Sequence, residues 1–212
     1  SATALAGVAL LGNAATAAQG KWQYNSGAGW NDLPTATSLT APFLLGSSDL
    51  VRFLPAANWN GTPGQLTVRL IDNSSGAVTT GAGSDISGAA TGGTTAYANL
   101  ANQVTLGTAI SAVNDAPVAS GTATLSAINE DTTNPSGALV SALITGSQYS
   151  DTTDTVTGGS TATALGGIAI TANAANPGTE GSWQYSTNGG TSWITVPTSG
   201  LGDSTALILP TN

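Results

Sequence analysis

The hydrophobic positions of this chain fall in short clusters, each closed by Gly, Asn, Asp, Ser or Pro. Residues 8–11 and 168–171 are brief apolar runs and read as buried strands. Residues 21–25 and 183–187 open hairpins. In the second of these, Asn188-Gly189-Gly190 is the turn and residues 192–196 return. Residues 43–45 and 50–54 are expected to pair with each other. Residues 65–71 alternate, with Leu66, Val68 and Leu70 on one face, as a half-buried strand requires. Strands are also expected within 104–113, 123–128 and 139–144. No segment combines helical periodicity with caps. The pattern predicts an all-β fold, essentially without helix. Many short strands between turn signals suggest a β-sandwich.

The pattern repeats. Ser1-Ala-Thr-Ala-Leu5-Ala-Gly-Val-Ala-Leu10 matches Thr161-Ala-Thr-Ala-Leu165-Gly-Gly-Ile-Ala-Ile170. Gly20-Lys-Trp-Gln-Tyr24 matches Gly181-Ser-Trp-Gln-Tyr185, Trp30 matches Trp193, and Pro42-Phe-Leu-Leu45 matches Ala206-Leu-Ile-Leu209. The period is about 160 residues, so the chain spans parts of two tandem copies. Residues 1–113 are expected to be the C-terminal part of one repeat, 114–117 a linker, and 118–212 the N-terminal part of the next. The recurrence of Trp22 and Trp30 as Trp183 and Trp193 favours core or hairpin packing over a ligand platform.

Composition narrows the function. Of 212 residues, 40% are hydrophobic but only 7% are charged, against about 25% in ordinary globular domains. Cys, His and Met are absent. Without Cys there is no disulfide frame or thiolate metal site. Without His or Cys, acid–base and nucleophilic catalysis lose their commonest agents, so an enzyme is not expected. The missing Met implies a processed or excised start. Eleven acids against three bases, Lys21, Arg52 and Arg69, give a net charge of −8. Three scattered bases make no stripe for nucleic acid and no attraction to anionic lipid. No apolar run reaches the roughly 18 residues of a membrane span. An Asp-rich chain suits divalent cations, Ca²⁺ above all.

The junction between the copies reads Ala112-Val-Asn-Asp-Ala-Pro-Val118. Pro117 removes a backbone donor and stiffens entry into the next unit. Together with Ile128-Asn-Glu-Asp-Thr132 and Phe53-Leu-Pro-Ala-Ala-Asn-Trp-Asn-Gly-Thr62, this junction resembles the tandem cadherin-like repeats of giant bacterial surface adhesins. That resemblance implies Ig/cadherin-like sandwiches stiffened by Ca²⁺ at their linkers. It implies a ligand set too. Asn114 and Asp115 match the linker pair, and Asp151 and Asp154 resemble the acidic loop facing the preceding linker. Asp72 resembles a late-strand acid, and Glu130 the early Glu facing the following linker. Two departures stand out: two residues separate Asp151 from Asp154 rather than one, and the stretch from Asp49 to Phe53 carries one acid where the family has Asp-Arg-Glu. The same acids also suit ordinary turn caps.

Three weaker motifs have plain readings. Gly81-Ala-Gly-Ser-Asp-Ile86 reads as a flexible loop. The sequons at Asn60 and Asn73 read as turns. Glu130 and Asp131, as neighbours on an extended segment, face opposite ways and make no glycosidase pair. The expected function is therefore a structural extender of a large extracellular adhesin or surface filament. Its partners are neighbouring repeats or identical subunits. The rival readings are a subunit of a polymeric fibre assembled by strand exchange, and a sandwich module binding a surface glycan, peptide or protein.

Overall fold

The longest strand, β1 (Leu5–Asn13), is built from small and aliphatic residues interrupted by Gly7 and Gly12. Both glycines sit where the pairing of β1 shifts register. A Cβ on Gly7 would lie 2.2 Å from the Leu45 carbonyl oxygen, so only glycine permits this approach. The computed structural model describes residues 3–88 and 92–211, which leaves Ser1 and Ala2 of the repeated motif outside the described residues. The chain divides into two compact units. One runs through Asn114 and also contains Thr153–Thr161; the other holds Asp115–Thr152 and the stretch from Ala162 onward.

The first unit contains β1, β2 (Gly20–Asn25), β3 (Asn31–Asp32), β4 (Phe43–Gly46), β5 (Leu50–Pro55), β6 (Leu66–Asp72), β7 (Gly81–Ala82) and β8 (Val104–Leu106). They form a five-stranded sheet in the order β7-β4-β1-β6-β8 and a three-stranded sheet in the order β3-β2-β5. All pairs are antiparallel. The two sheets share a core of Leu10, Trp22, Leu33, Leu45, Leu66 and Val68. The opposite face of the larger sheet is also covered: Ala9, Ile71, Ile86 and Ala96 cluster there, with Leu39, Val78 and Tyr97 against them.

Burial on both faces corrects two expectations. The strand β6 is not simply half-buried: Leu66 and Val68 are fully buried, Leu70 is 39% exposed, and Arg69 on the other face is also fully buried. The Arg69 guanidinium lies over the Tyr97 ring and donates through Nε and Nη2 to the Ala98 carbonyl. Moreover, residues 43–45 and 50–54 do not pair. After β4 the chain changes sheets, so β4 pairs with β1 and β7 while β5 pairs with β2. The Ser47-Ser-Asp49 connection is a crossing between layers, its turn fixed by Asp49 Oδ2 accepting from the Gly46 amide.

The second unit contains β9 (Val118–Ala119), β10 (Tyr149–Ser150), β11 (Gly167–Ile170), β12 (Gln184–Tyr185), β13 (Ile194–Thr195) and β14 (Leu207–Pro210), in three two-stranded pairs. The expected strand at 139–144 is instead one helical turn, α1 (Val140–Leu143). Ala and Leu favour helix, and no neighbouring edge recruits the segment into a ladder. Residues 123–128 form no strand, and Ile128 is 64% exposed. Of 104–113, only β8 and a bridge from Ile110 to Gly61 are paired.

One register occurs in both units. Val8 stands opposite Leu45 and Leu10 opposite Phe43; Ile168 stands opposite Leu209 and Ile170 opposite Leu207. Gln23 faces Asp32, and Gln184 faces Thr195. The Leu33 amide donates to the Trp22 carbonyl, as Val196 does to Trp183. Asn13 holds the Leu33 carbonyl and the Ala15 amide; Asn173 holds the Val196 carbonyl and the Ala175 amide. The sequence match therefore extends to strand pairing and to side-chain capping.

Candidate functional site

The strand β10 ends at Ser150, and Asp151 follows it as a buried residue of the second unit. Its Oδ2 accepts from the Thr163 amide, and the Tyr149 hydroxyl donates to the Thr163 carbonyl at 2.6 Å. These two bonds close the neck of an excursion, because Thr153–Thr161 between them belongs to the first unit. The second Asp151 oxygen, Oδ1, is buried with no hydrogen-bond partner. A buried carboxylate oxygen without a donor is costly and makes Asp151 the carboxylate most in want of a cation.

The excursion docks on the loop after β5. Asn58 (φ 57°) and Gly61 (φ 114°) adopt left-handed backbone there, which presents the buried Asn60 side chain between them. Asn60 Oδ1 accepts from the Ser160 amide at 2.8 Å, and Asn60 Nδ2 donates to Ser160 Oγ at 2.8 Å. The Ser160 hydroxyl passes its own proton to the Asp154 carbonyl. The result is a directed chain, amide to hydroxyl to carbonyl. Gly159 admits the contact: a Cβ there would lie 2.3 Å from Asn60 Oδ1. Asn60 appeared in the sequence only as a formal sequon. Its Asn-Gly step signals a tight turn, but nothing local reveals a partner one hundred residues away.

The remaining candidate ligands are distributed between the units. Asn114, exposed, ends the main stretch of the first unit; Asp115, half-buried, opens the second. Asp154 is buried within the first unit, at the end of a short 3-10 turn (Thr152–Asp154). Asp72 caps the turn Asn73–Ser75, its carboxylate accepting from the Ser74 amide at 2.8 Å and from the Thr3 hydroxyl at 3.2 Å. Hydrogen bonds from Ser74, side chain first and then backbone, hold its pKa below the ordinary 3.8. Glu130 is exposed in the second unit. Among the described residues no three or more acidic side chains gather where they could share a metal. The fit to Ca²⁺, which takes six to eight oxygens, thus rests, among the described residues, on one unsatisfied acceptor oxygen, Asp151 Oδ1.

No family model matches this chain, and no match was found among curated proteins or solved structures. Among the described residues no helix is long and apolar enough to cross a membrane.

Proposed function

We propose that the chain is a stretch of a structural tandem-repeat protein, an extracellular β-sandwich extender of the kind found in adhesins and surface filaments. The observation that carries this reading is the recurrence of one strand register and one set of caps in two successive units. Repeat architectures gain reach by stacking similar modules, each stabilised by itself and its neighbour. The resemblance of the junction to cadherin-like linkers supports the same reading.

Ca²⁺ is the ion proposed to stiffen the array, with Asp151 as the residue from which its site is built. Thermal melting of the intact chain in calcium and in chelator tests this. Calcium at millimolar levels, the range of extracellular modules, is expected to raise the melting temperature by a few degrees, and Asp151→Asn to abolish the rise. Identical melting curves in calcium and chelator would remove calcium from the proposal. The extender reading is tested separately by the intact mass of the source polypeptide, which should be many times 20.6 kDa.

A further inference from the structure

The chain holds two Asn-Gly steps, Asn60-Gly61 and Asn188-Gly189. At such a step the side-chain amide is open to attack by the next backbone nitrogen. That nitrogen adds to Cγ and closes a succinimide ring, and glycine puts no Cβ in its way. The structure sets the two steps apart. Asn60 is buried, its Oδ1 and Nδ2 are both tied to Ser160, and the Gly61 amide donates to the Ile110 carbonyl at 2.9 Å. Ring closure there has to break all of these bonds. At Asn188 the arrangement is reversed. Both residues of the step are exposed, Gly189 is left-handed at φ 68°, and among the described residues its amide meets no acceptor. The carbonyl under attack is polarised instead. Asn188 Oδ1 accepts from the Ser186 hydroxyl at 2.9 Å and from the Ser192 amide at 3.0 Å. Ser186 Oγ is itself held by the Asn188 amide at 3.3 Å and the Gly190 amide at 2.9 Å. Asn188 Nδ2 donates to Ser192 Oγ at 2.9 Å. All of these bonds lie within Ser186–Ser192, so the turn carries its own reactivity.

We propose that the turn Ser186–Ser192 is a self-modification site, at which Asn188 converts to aspartate and isoaspartate without an enzyme. The Gly189 nitrogen bonds to Asn188 Cγ and gives its proton to water. Negative charge gathers on Oδ1, where the Ser186 hydroxyl and the Ser192 amide already point. Donors placed in advance on an oxygen that becomes an oxyanion lower the barrier to its formation. The Cγ–Nδ2 bond then breaks. The Ser192 hydroxyl, 2.9 Å from Nδ2, supplies the proton with which that nitrogen leaves as ammonia, and regains one from water. Water opens the ring at either carbonyl. One opening leaves aspartate on an unchanged backbone; the other routes the backbone through the side chain as isoaspartate. Each event adds one negative charge to a chain already at −8. The aspartate product keeps both donors on its carboxylate, so the hairpin survives. The isoaspartate product lengthens the connection between β12 and β13 and disturbs the pairing of Tyr185 with Ile194.

The experiment incubates the intact chain at mildly alkaline pH and follows each asparagine by peptide mapping. Mass spectrometry reads the gain as amide becomes acid, and fragmentation separates aspartate from isoaspartate. Asn188 is expected to convert first, with Asn60 intact over the same period. Ser186→Ala should slow conversion at Asn188 roughly three- to tenfold; a buried oxyanion donor is worth about a hundredfold or more, and water replaces part of an exposed one. Ser186→Thr, which keeps the hydroxyl, should restore the rate. The proposal is overturned if Asn60 converts as fast as Asn188, or if Asn188 stays unchanged while other exposed asparagines convert. A Ser186→Ala chain that converts at the same rate or faster would show that the hydrogen bonds lock the amide rather than activate it, and would overturn the proposal too. So would a slowing that Ser186→Thr does not reverse.

Discussion

Asn60 acts through both ends of a neutral amide, and the Ser160 hydroxyl fixes the polarity. That hydroxyl has one proton, given to the Asp154 carbonyl, so it can only accept from Asn60 Nδ2. Asn60→Ala should cost about 1–3 kcal/mol in urea unfolding, the usual loss when a buried hydrogen-bonding group is deleted. Asn60→Asp should be no milder, although it is nearly isosteric, because it offers an acceptor where a donor is needed. If Asn60→Asp were neutral, the directed chain would be wrong. Gly159→Ala should destabilise the same contact by steric overlap, since no rotamer change moves a Cβ. At acid pH three carboxylates matter. Hydrogen bonds from Ser74 lower the Asp72 pKa, bonds from Gln23 and then Lys21 lower that of Asp32, and bonds from Ser87 lower that of Asp85. A carboxylate depressed in the folded state contributes stability above the unfolded value, 3.8, and loses it as pH falls through the lower folded value. Melting temperature should therefore decline below about pH 4. In the Asp72→Asn, Asp32→Asn double variant the decline should be shallower.

At the scale of elements, β6 and β5 are both apolar runs, yet they play opposite parts. Leu66 is fully buried between the sheets, and Leu50 at the start of β5 is 59% exposed. Leu66→Ala should cost about 2–5 kcal/mol, while Leu50→Ala should stay within about 0.5 kcal/mol; paired denaturant melts decide it. Strands were legible in the sequence where alternation or a turn dipeptide marked them, as in β6 and around Asn188-Gly-Gly. Their partners were less so. The runs at 43–45 and 50–54 look like a hairpin because they are adjacent, but pairing depends on which sheet needs an edge, and sequence proximity does not encode that. Arg69 stands in the sequence only as one of three scattered bases, and its burial depends on Tyr97 and the Ala98 carbonyl, both supplied by a distant loop. The turn α1 escaped notice because four residues carry too little periodicity to register.

Across the whole molecule, the internal repeat was the most legible feature, since it compares the chain with itself and needs no physical model of folding. Its structural counterpart went further than the matched letters, reaching the caps at Asn13 and Asn173. The candidate site was only partly legible. Acids near the junction could be picked out, but the orphaned oxygen of Asp151 exists only because Thr163 satisfies its twin. The passage of Thr153–Thr161 into the first unit left no trace in composition.

That passage has a consequence for the order in which the protein is made. A ribosome delivers Asn114 first and must then add Asp115–Thr152, about 38 residues, before the segment that completes the first unit begins to emerge. At 5–20 residues per second this takes roughly 2–8 s, longer than many β-domains need to fold. The two sheets of the first unit are thus finished while the Asn60 loop still faces water, holding a vacancy shaped for a segment not yet synthesised. The nascent chain folds forward and then backward, and the first unit is closed by a segment of its own that is made only after 38 residues of the second.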